Sequence, residues 1–290
     1  MAIDTQCFRL IITAACSGVD FSRCLTFGRQ QYYPRKKHVL TALSDSALDV
    51  NHEEIASIKS DFCEPFLQAL GAETVDSMDI SDYQSATILH DLNQPVPAEH
   101  HGKYSVVIDG GTTEHVYNFP EAMHNAMKLL EVGGHFISMV TGNNFSGHGF
   151  YQISPELYFR LFSPENGFET RGVFLAGEHP GRPFYLVSDP AAIKGRVEFK
   201  SFERLYVGVV ARKIADSGGA LVTPLQSDYQ ELWKSKMSPV GKLAREFNRM
   251  ILHTRTFFGL LFNLAWQSRG IRRLSGAALY NCLSQKSTGR

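Results

Sequence analysis

Residues 104–111 read Tyr104-Ser105-Val106-Val107-Ile108-Asp109-Gly110-Gly111. A continuous apolar run is what a strand buried on both faces of a parallel sheet requires. The acid and two glycines that end it are loop-forming residues, and glycine also lets a ligand approach the backbone closely. Working outward, residues 118–131 carry Phe119, Met123, Met127 and Leu130 at helical spacing, with Pro120 near the start where proline is tolerated. Gly133-Gly134 is expected to stop that helix before a strand over 135–140. Upstream, short strands are expected at 23–28, 74–79 and 86–91, helices at 5–17 and from about 53 to 70, and an irregular polar segment at 29–52. Downstream, 155–163 reads as helix and 172–176 and 204–212 as strands. Alternating strand and helix argues for an α/β fold: a doubly wound, mostly parallel sheet with helices on its faces. The expected organisation is an α/β domain over 1–213 with an insertion at about 31–52, then a basic helical C-terminal extension over 214–290 with breaks at Pro239 and Gly270.

Composition bounds the function. The chain of 290 residues is 43% hydrophobic and 20% charged, enough apolar matter to exclude disorder as its main state. Lys plus Arg and Asp plus Glu number 29 each. No whole-protein basic field exists, so no nucleic-acid partner is expected. Residues 231–290 nevertheless hold eleven Lys/Arg against Glu231 and Glu246. An acidic body with a basic tail points to a contact between them or to an anionic partner, including a peripheral membrane contact through 231–290. Phe257, Phe258, Leu260, Leu261, Phe262, Leu264 and Trp266, bracketed by Arg255 and Arg269, suit a membrane-surface helix, a helix packed on the body or one lining a substrate channel. No apolar run reaches 18 residues, so no membrane span is expected. Five cysteines with no C-x-x-C pair suggest reduced thiols and a cytoplasmic location. The stretch Ile11 to Cys16 has only a faint likeness to an export site. His100-His101 has no third ligand at a matching spacing, so no metal site is expected.

In a sheet of this kind ligands bind at the carboxyl ends of the strands, where strand order reverses. Four expected strands end in Gly28, Asp79, Asp91 and Asp109-Gly110-Gly111. A strand-end carboxylate can accept two hydroxyl hydrogen bonds from a ribose, which makes a nucleoside-type ligand the expected occupant.

Here the residues resemble a known family. Tyr104 to Asp109, then Glu114-His115-Val116, then Met127-Lys128-Leu129-Leu130-Glu131-Val132-Gly133-Gly134-His135-Phe136-Ile137 resembles the fourth strand, following helix and fifth strand of class I S-adenosylmethionine-dependent methyltransferases. Val132 stands where the family usually has proline. The resemblance spans roughly 20–212, and Leu205 to Lys213 resembles the family's last, antiparallel strand. It implies S-adenosylmethionine as cofactor, with Asp79 on the ribose hydroxyls, Asp91 and Leu92 at the adenine, and Gly28, Asp109 and Gly110 lining the remainder. The family's first loop is usually G-x-G-x-G, whereas this chain reads Phe27-Gly28-Arg29-Gln30-Gln31. Arg29 is then the candidate partner of the cofactor's carboxylate. Gly28 and Asp79 stand 51 residues apart, where about 20 is typical of dinucleotide-type folds.

The segment after the fifth strand, Asn143-Asn144-Phe145-Ser146-Gly147-His148-Gly149-Phe150-Tyr151-Gln152, mixes amides, aromatics and a histidine between glycines. His148 is a candidate general base, His115 the alternative, and Asn143, Tyr151 and Gln152 candidate acceptor-facing groups. Methyl transfer is a direct displacement at a sulfonium, so orientation carries much of the acceleration and a base is dispensable for an already deprotonated acceptor. The expected function is methyl transfer to a small-molecule or glycan-precursor acceptor. Its alternatives are a catalytically inactive relative kept as a binding or scaffold protein, a nicotinamide-dependent oxidoreductase, whose first loop needs more glycines, and a membrane-surface interaction protein.

Overall fold

The computed structural model describes residues 2–216, 221–234 and 270–283. They fall into two compact units, one formed by residues up to Val187, Ser201–Pro224 and the chain from Arg272, the other by Ser188–Lys200 and Leu225–Ile271.

The first unit is built on a twisted sheet. Its strands in chain order are β2 (Arg23–Phe27), β4 (Thr74–Asp79), β5 (Ile88–Leu89), β6 (Tyr104–Asp109), β7 (Leu130–Asn143), β8 (Phe168–Gly177), β9 (Phe184–Val187), β10 (Leu205–Lys213) and β11 (Ile271–Leu274). Across the sheet the order is β11-β9-β8-β10-β7-β6-β2-β4-β5. The pairs β5–β4, β4–β2, β2–β6 and β6–β7 are parallel, and β10 runs antiparallel to both β7 and β8. Two parallel halves diverge from β2 and β6 and an antiparallel strand sits between β7 and β8. This is the strand arrangement of the Rossmann-like methyltransferase fold, as the sequence led us to expect. A separate two-stranded parallel ladder joins β1 (Ala2–Ile3) to β3 (Gln31–Tyr32).

Helices cover both faces. Helix α1 (Thr5–Cys16) is capped by Asp4, whose carboxylate accepts from the Gln6 and Cys7 amides at 2.9 Å. Such a cap contributes about 1 kcal/mol. Phe8, Leu10, Ile11, Ile12 and Ala14 are fully buried in one core with Val106, Ile108, Ile137 and Met139. The alternate residues of β7 face the opposite layer. Phe136 packs against Phe162 with ring centroids 5.1 Å apart, and Ser138 meets the Tyr158 hydroxyl of α6 (Pro155–Leu161) at 3.1 Å. The two-residue period of the strands thus feeds two separate apolar layers.

Several expectations are corrected. The irregular segment 29–52 contains helix α2 (Lys36–Asp45), whose Val39, Ala42 and Leu43 are buried in the α1 layer; a cationic start and short length hid its periodicity. The single helix expected over 53–70 is two, α3 (His52–Ala56) and α4 (Glu64–Ala69). The gap between them bonds to another segment: Tyr32 N–H donates to Asp61 O and Cys63 N–H to Gln30 O, both at 3.0 Å. Gly133-Gly134 does not stop a helix. Helix α5 (Phe119–Leu129) ends earlier and both glycines lie inside β7. A Cβ on Gly134 would stand 3.0 Å from the Tyr104 and Ser105 carbonyls, so glycine permits the close approach of β7 to β6 where the register shifts. The C-terminal extension is not wholly helical. Ile271–Leu274 is a strand, and the short helix after it, α8 (Ala277–Tyr280), brings Leu279, Tyr280, Cys282 and Leu283 into the α1 core. The boundary expected at 213 therefore cuts through a unit that the chain later rejoins. The apolar segment 257–266 and most of the basic tail lie outside the described residues.

In the second unit, α7 (Ser227–Lys234) is tied to the preceding loop by an Arg196–Asp228 ion pair at 2.7 Å. Among the described residues no helix is long and apolar enough to cross a membrane.

One core group titrates. His135, in β7, is mostly buried with no partner for Nδ1. Burial first, then the charges of Arg212 and Arg171, lower its pKa to about 4. A histidine depressed in the fold is protonated earlier in the unfolded chain. Its stabilisation is intact above about pH 6.5 and is lost as pH falls toward 4. The expected loss at pH 4.5 is about 2 kcal/mol, read as the difference in urea-unfolding free energy between pH 7 and 4.5. His135→Gln should lack that share of the acid slope; an unchanged slope in this variant refutes the assignment.

Candidate functional site

The order of strands reverses between β2 and β6, so the place to look is the crevice above their carboxyl ends. Phe27 ends β2, and Gly28 follows in the left-handed region (φ 66°), its amide donating to Met78 O at 2.7 Å. Across from it, Asp109 ends β6 and is completely buried. Its carboxylate accepts from the Thr112 amide at 2.8 Å, the Thr113 amide at 3.3 Å, the Thr113 hydroxyl at 2.5 Å and the Ser138 hydroxyl at 3.1 Å. Burial pushes its pKa up, and hydrogen bonds from Thr113, Thr112 and Ser138 pull it back. The carboxylate expected to line a cofactor thus holds the turn 110–113 in place.

Gln30 fills the space between the two strand ends. It is fully buried, and its amide nitrogen donates to Phe27 O and to Thr112 Oγ1. Its carbonyl oxygen Oε1 has no hydrogen-bond partner. A Cβ on Gly110 would stand 2.6 Å from that oxygen, and the Ala2 amide donates to Gly110 O at 3.1 Å. Gly110 is therefore the cradle of the Gln30 side chain. Nothing in the sequence singled out Gln30; its role comes from the β1–β3 ladder, which turns it inward beneath the N-terminal strand.

Arg29 has internal partners. Its Nε lies 2.7 Å from Glu64 Oε1, its Nη1 donates to Gln84 O at 2.9 Å and its guanidinium lies 4.0 Å from the Phe62 ring centroid. These contacts staple α4 to the loop after β4, and the guanidinium expected to meet a cofactor carboxylate is engaged in them.

The outer strand ends are more open. Asp79 ends β4 and accepts locally, from the Ser81 amide at 3.3 Å, while Tyr83 just beyond is 90% exposed. Asp91, two residues past β5, accepts from the backbone and side-chain nitrogens of Asn93. Leu92 is buried.

A second cluster stands beyond the ends of β6 and β7. The loop 144–152 folds back over a 3-10 turn (Thr113–His115): Phe150 and Tyr151 amides both donate to Glu114 O, at 2.7 and 3.2 Å. Gly149 (φ 68°) passes so close that a Cβ would lie 2.8 Å from Glu114 O. The folding brings His148 to His115, with ring centroids 4.9 Å apart, and places His148 Nε2 3.8 Å from Glu114 Oε1. Both histidines are exposed, whereas the Glu114 side chain is 1% exposed and its Oε2 has no hydrogen-bond partner. Burial, then the charge of Asp109, pushes the Glu114 carboxyl up to about 8. Burial, then His148, lowers His115. Tyr151 donates its hydroxyl to Tyr117 O at 2.7 Å, and the exposed Tyr117 and Phe150 rings meet edge-on at 6.3 Å. Asn143 closes β7 opposite Leu205 and is exposed. Both histidines stand out in the sequence as site candidates, whereas Glu114 does not. Its signal was its place in the Glu-His-Val triplet after β6.

S-adenosylmethionine can be tested against these residues. Its methionine end carries an ammonium, which is the donor that the orphaned Gln30 Oε1 lacks; the space beside Gly110 is taken by the Gln30 side chain itself. Asp79 offers an accessible acceptor for ribose hydroxyls and Leu92 an apolar surface. The donor set fits the group, on condition that the Gln30 side chain turns out of the crevice.

No family model matches the chain, and no curated protein matches it. Similarity to solved structures is found at low identity. A methyltransferase from Bacillus halodurans C-125 shares 10% identity and a TM-score of 0.40, over 71% of this chain and 99% of that one. Geranyl diphosphate methyltransferase in complex with SAM gives 9% and 0.41, over 71% and 84%. The trans-methyltransferase CalH with SAH gives 13% and 0.37, over 71%, and there the match spans only 55% of the other chain. The order and directions of the strands within this chain give it a class I methyltransferase-like fold.

Proposed function

We propose that the protein is an S-adenosylmethionine-dependent methyltransferase acting on a small-molecule or glycan-precursor acceptor. One observation carries the reading: the strand-end acid Asp79 and the Glu114–His115–His148 cluster stand at the same carboxyl edge of the sheet, on either side of its switch point. Asp79 would hold the ribose, Asp91 and Leu92 the adenine, and Gln30, once turned, the ammonium, beside Gly28 and Gly110. The cofactor supplies an electrophilic methyl group. The chain's own part is to orient the acceptor. Tyr117 and Phe150 present flat apolar faces at the mouth of the site, and Tyr151 locks Tyr117 in place. His148 and His115 would face the acceptor's nucleophilic atom with Asn143. Since much of the acceleration in such a displacement comes from orientation, these positioning contacts matter most.

Calorimetric titration with S-adenosylhomocysteine tests the reading. We expect one site per chain with micromolar affinity, roughly −8 kcal/mol. Absence of binding at millimolar ligand would favour a second reading, a catalytically inactive relative kept as a binding or scaffold protein. The closed Gln30 crevice and the lone glycine of the first loop support that alternative.

A further inference from the structure

We propose that Glu114, His115 and His148 form a binding site for a divalent transition-metal ion of the zinc class. One ligand atom from each of the three lies within 4.8 Å of the others, and His148 Nε2 to Glu114 Oε1 is 3.8 Å. Ligand atoms around tetrahedral zinc sit about 2.0–2.2 Å from the metal, so the cluster has to contract by roughly 1 Å on filling. The chain allows that movement. His148 lies half exposed in its loop beside Gly147, where an added Cβ would meet no other atom within 4 Å. The opposite wall is fixed: Glu114 is held by two backbone bonds to its carbonyl and by burial of its side chain.

A second observation points to a ligand independently of the clustering. Glu114 is 1% exposed, yet its Oε2 has no hydrogen-bond partner. A buried carboxyl oxygen left without a partner costs free energy, and a bound cation would supply one. Two imidazoles and one carboxylate suit zinc, iron or nickel better than magnesium, which prefers oxygen ligands and retains its waters. Three protein ligands leave a coordination position open to water or to an acceptor's oxygen. The ion-binding site stands without the methyl-transfer reading; only a use of that open position to bind the acceptor would rest on it. The linear spacing of His115 and His148, 33 residues apart, resembles no ligand motif, which is why the sequence led us to expect no metal.

The test titrates zinc alone, without cofactor, against the purified full chain in competition with a chromophoric chelator. We expect one tight site per chain, at least tenfold weaker in His148→Ala and in His115→Ala, and no competition from magnesium at the same concentration. Both histidines are exposed, so these variants should fold, which circular dichroism and thermal melting confirm. Glu114→Gln keeps the volume of the buried side chain and should also weaken zinc at least tenfold. Absence of a tight site, or an affinity unchanged in both histidine variants, overturns the proposal, because the chain holds nine further histidines that could bind zinc adventitiously. Loss of zinc binding in the variants with S-adenosylhomocysteine binding intact, or the reverse, separates this site from the cofactor reading.

Discussion

Replacing Asp79 by alanine is expected to weaken S-adenosylhomocysteine binding roughly 100-fold while leaving the melting temperature unchanged. Hydrogen bonds to a charged group contribute about 1.5–3 kcal/mol each, and the two ribose hydroxyls would both donate to this carboxylate. About 2.7 kcal/mol, the value of a 100-fold change, lies just below their sum, which allows for water replacing part of the interaction. The fold asks little of the side chain, whose own contact is a 3.3 Å bond from the Ser81 amide at the end of β4. Calorimetry on the variant and on Asp79→Asn distinguishes charge from shape. An Asp79→Ala affinity within threefold of the parent would remove Asp79 from the proposed cofactor contacts.

The second large effect is on stability. Asp109→Ala should lower the unfolding free energy by about 3 kcal/mol, since a buried donor left unsatisfied costs about 1–3 kcal/mol. Four donors converge on this carboxylate, from Thr112, Thr113 (two) and Ser138, and none of them reaches solvent easily. Removing the acceptor strands them all, and Ser138 in turn touches the buried Tyr158 hydroxyl. Asp109→Asn retains one acceptor oxygen and should lose less. Urea unfolding of the three proteins measures the ladder; a loss below 1 kcal/mol in Asp109→Ala would show that the turn 110–113 is held by other means. The outcome also bears on function, since this turn carries Glu114 and His115 to their positions.

Much of the sheet was legible in the chain. The apolar run 104–109 is a strand buried on both faces because its alternate residues feed two layers, and continuous hydrophobicity records that directly. The amphipathic spacing of 118–131 gave α5 for the same reason. Less legible were elements whose stability comes from distant partners. Residues 57–63 have a helical pattern, yet their backbone bonds to residues 30–32, a contact no local propensity encodes. Strands β9 and β11 are short elements at one end of the sheet, and α2 hides its buried face among lysines. Gly133-Gly134 reads as a helix stop when in fact glycine is needed for close strand packing.

The site divides in the same way. The identities of the residues at the strand ends, Gly28, Asp79, Asp91 and Asp109, follow from sequence alone, because a strand's end is marked by local chemistry. What each of them does was decided by the tertiary structure. Asp109 turns down into a ring of donors, Arg29 is taken by Glu64, and Gln30, unremarkable in the chain, occupies the crevice. His115 and His148 were each nameable from sequence. Their meeting over a buried Glu114 depends on the 144–152 loop folding back across the turn after β6. Local sequence sets which groups a strand end can offer; whether burial, a competing partner or a neighbouring loop claims them is settled by long-range packing.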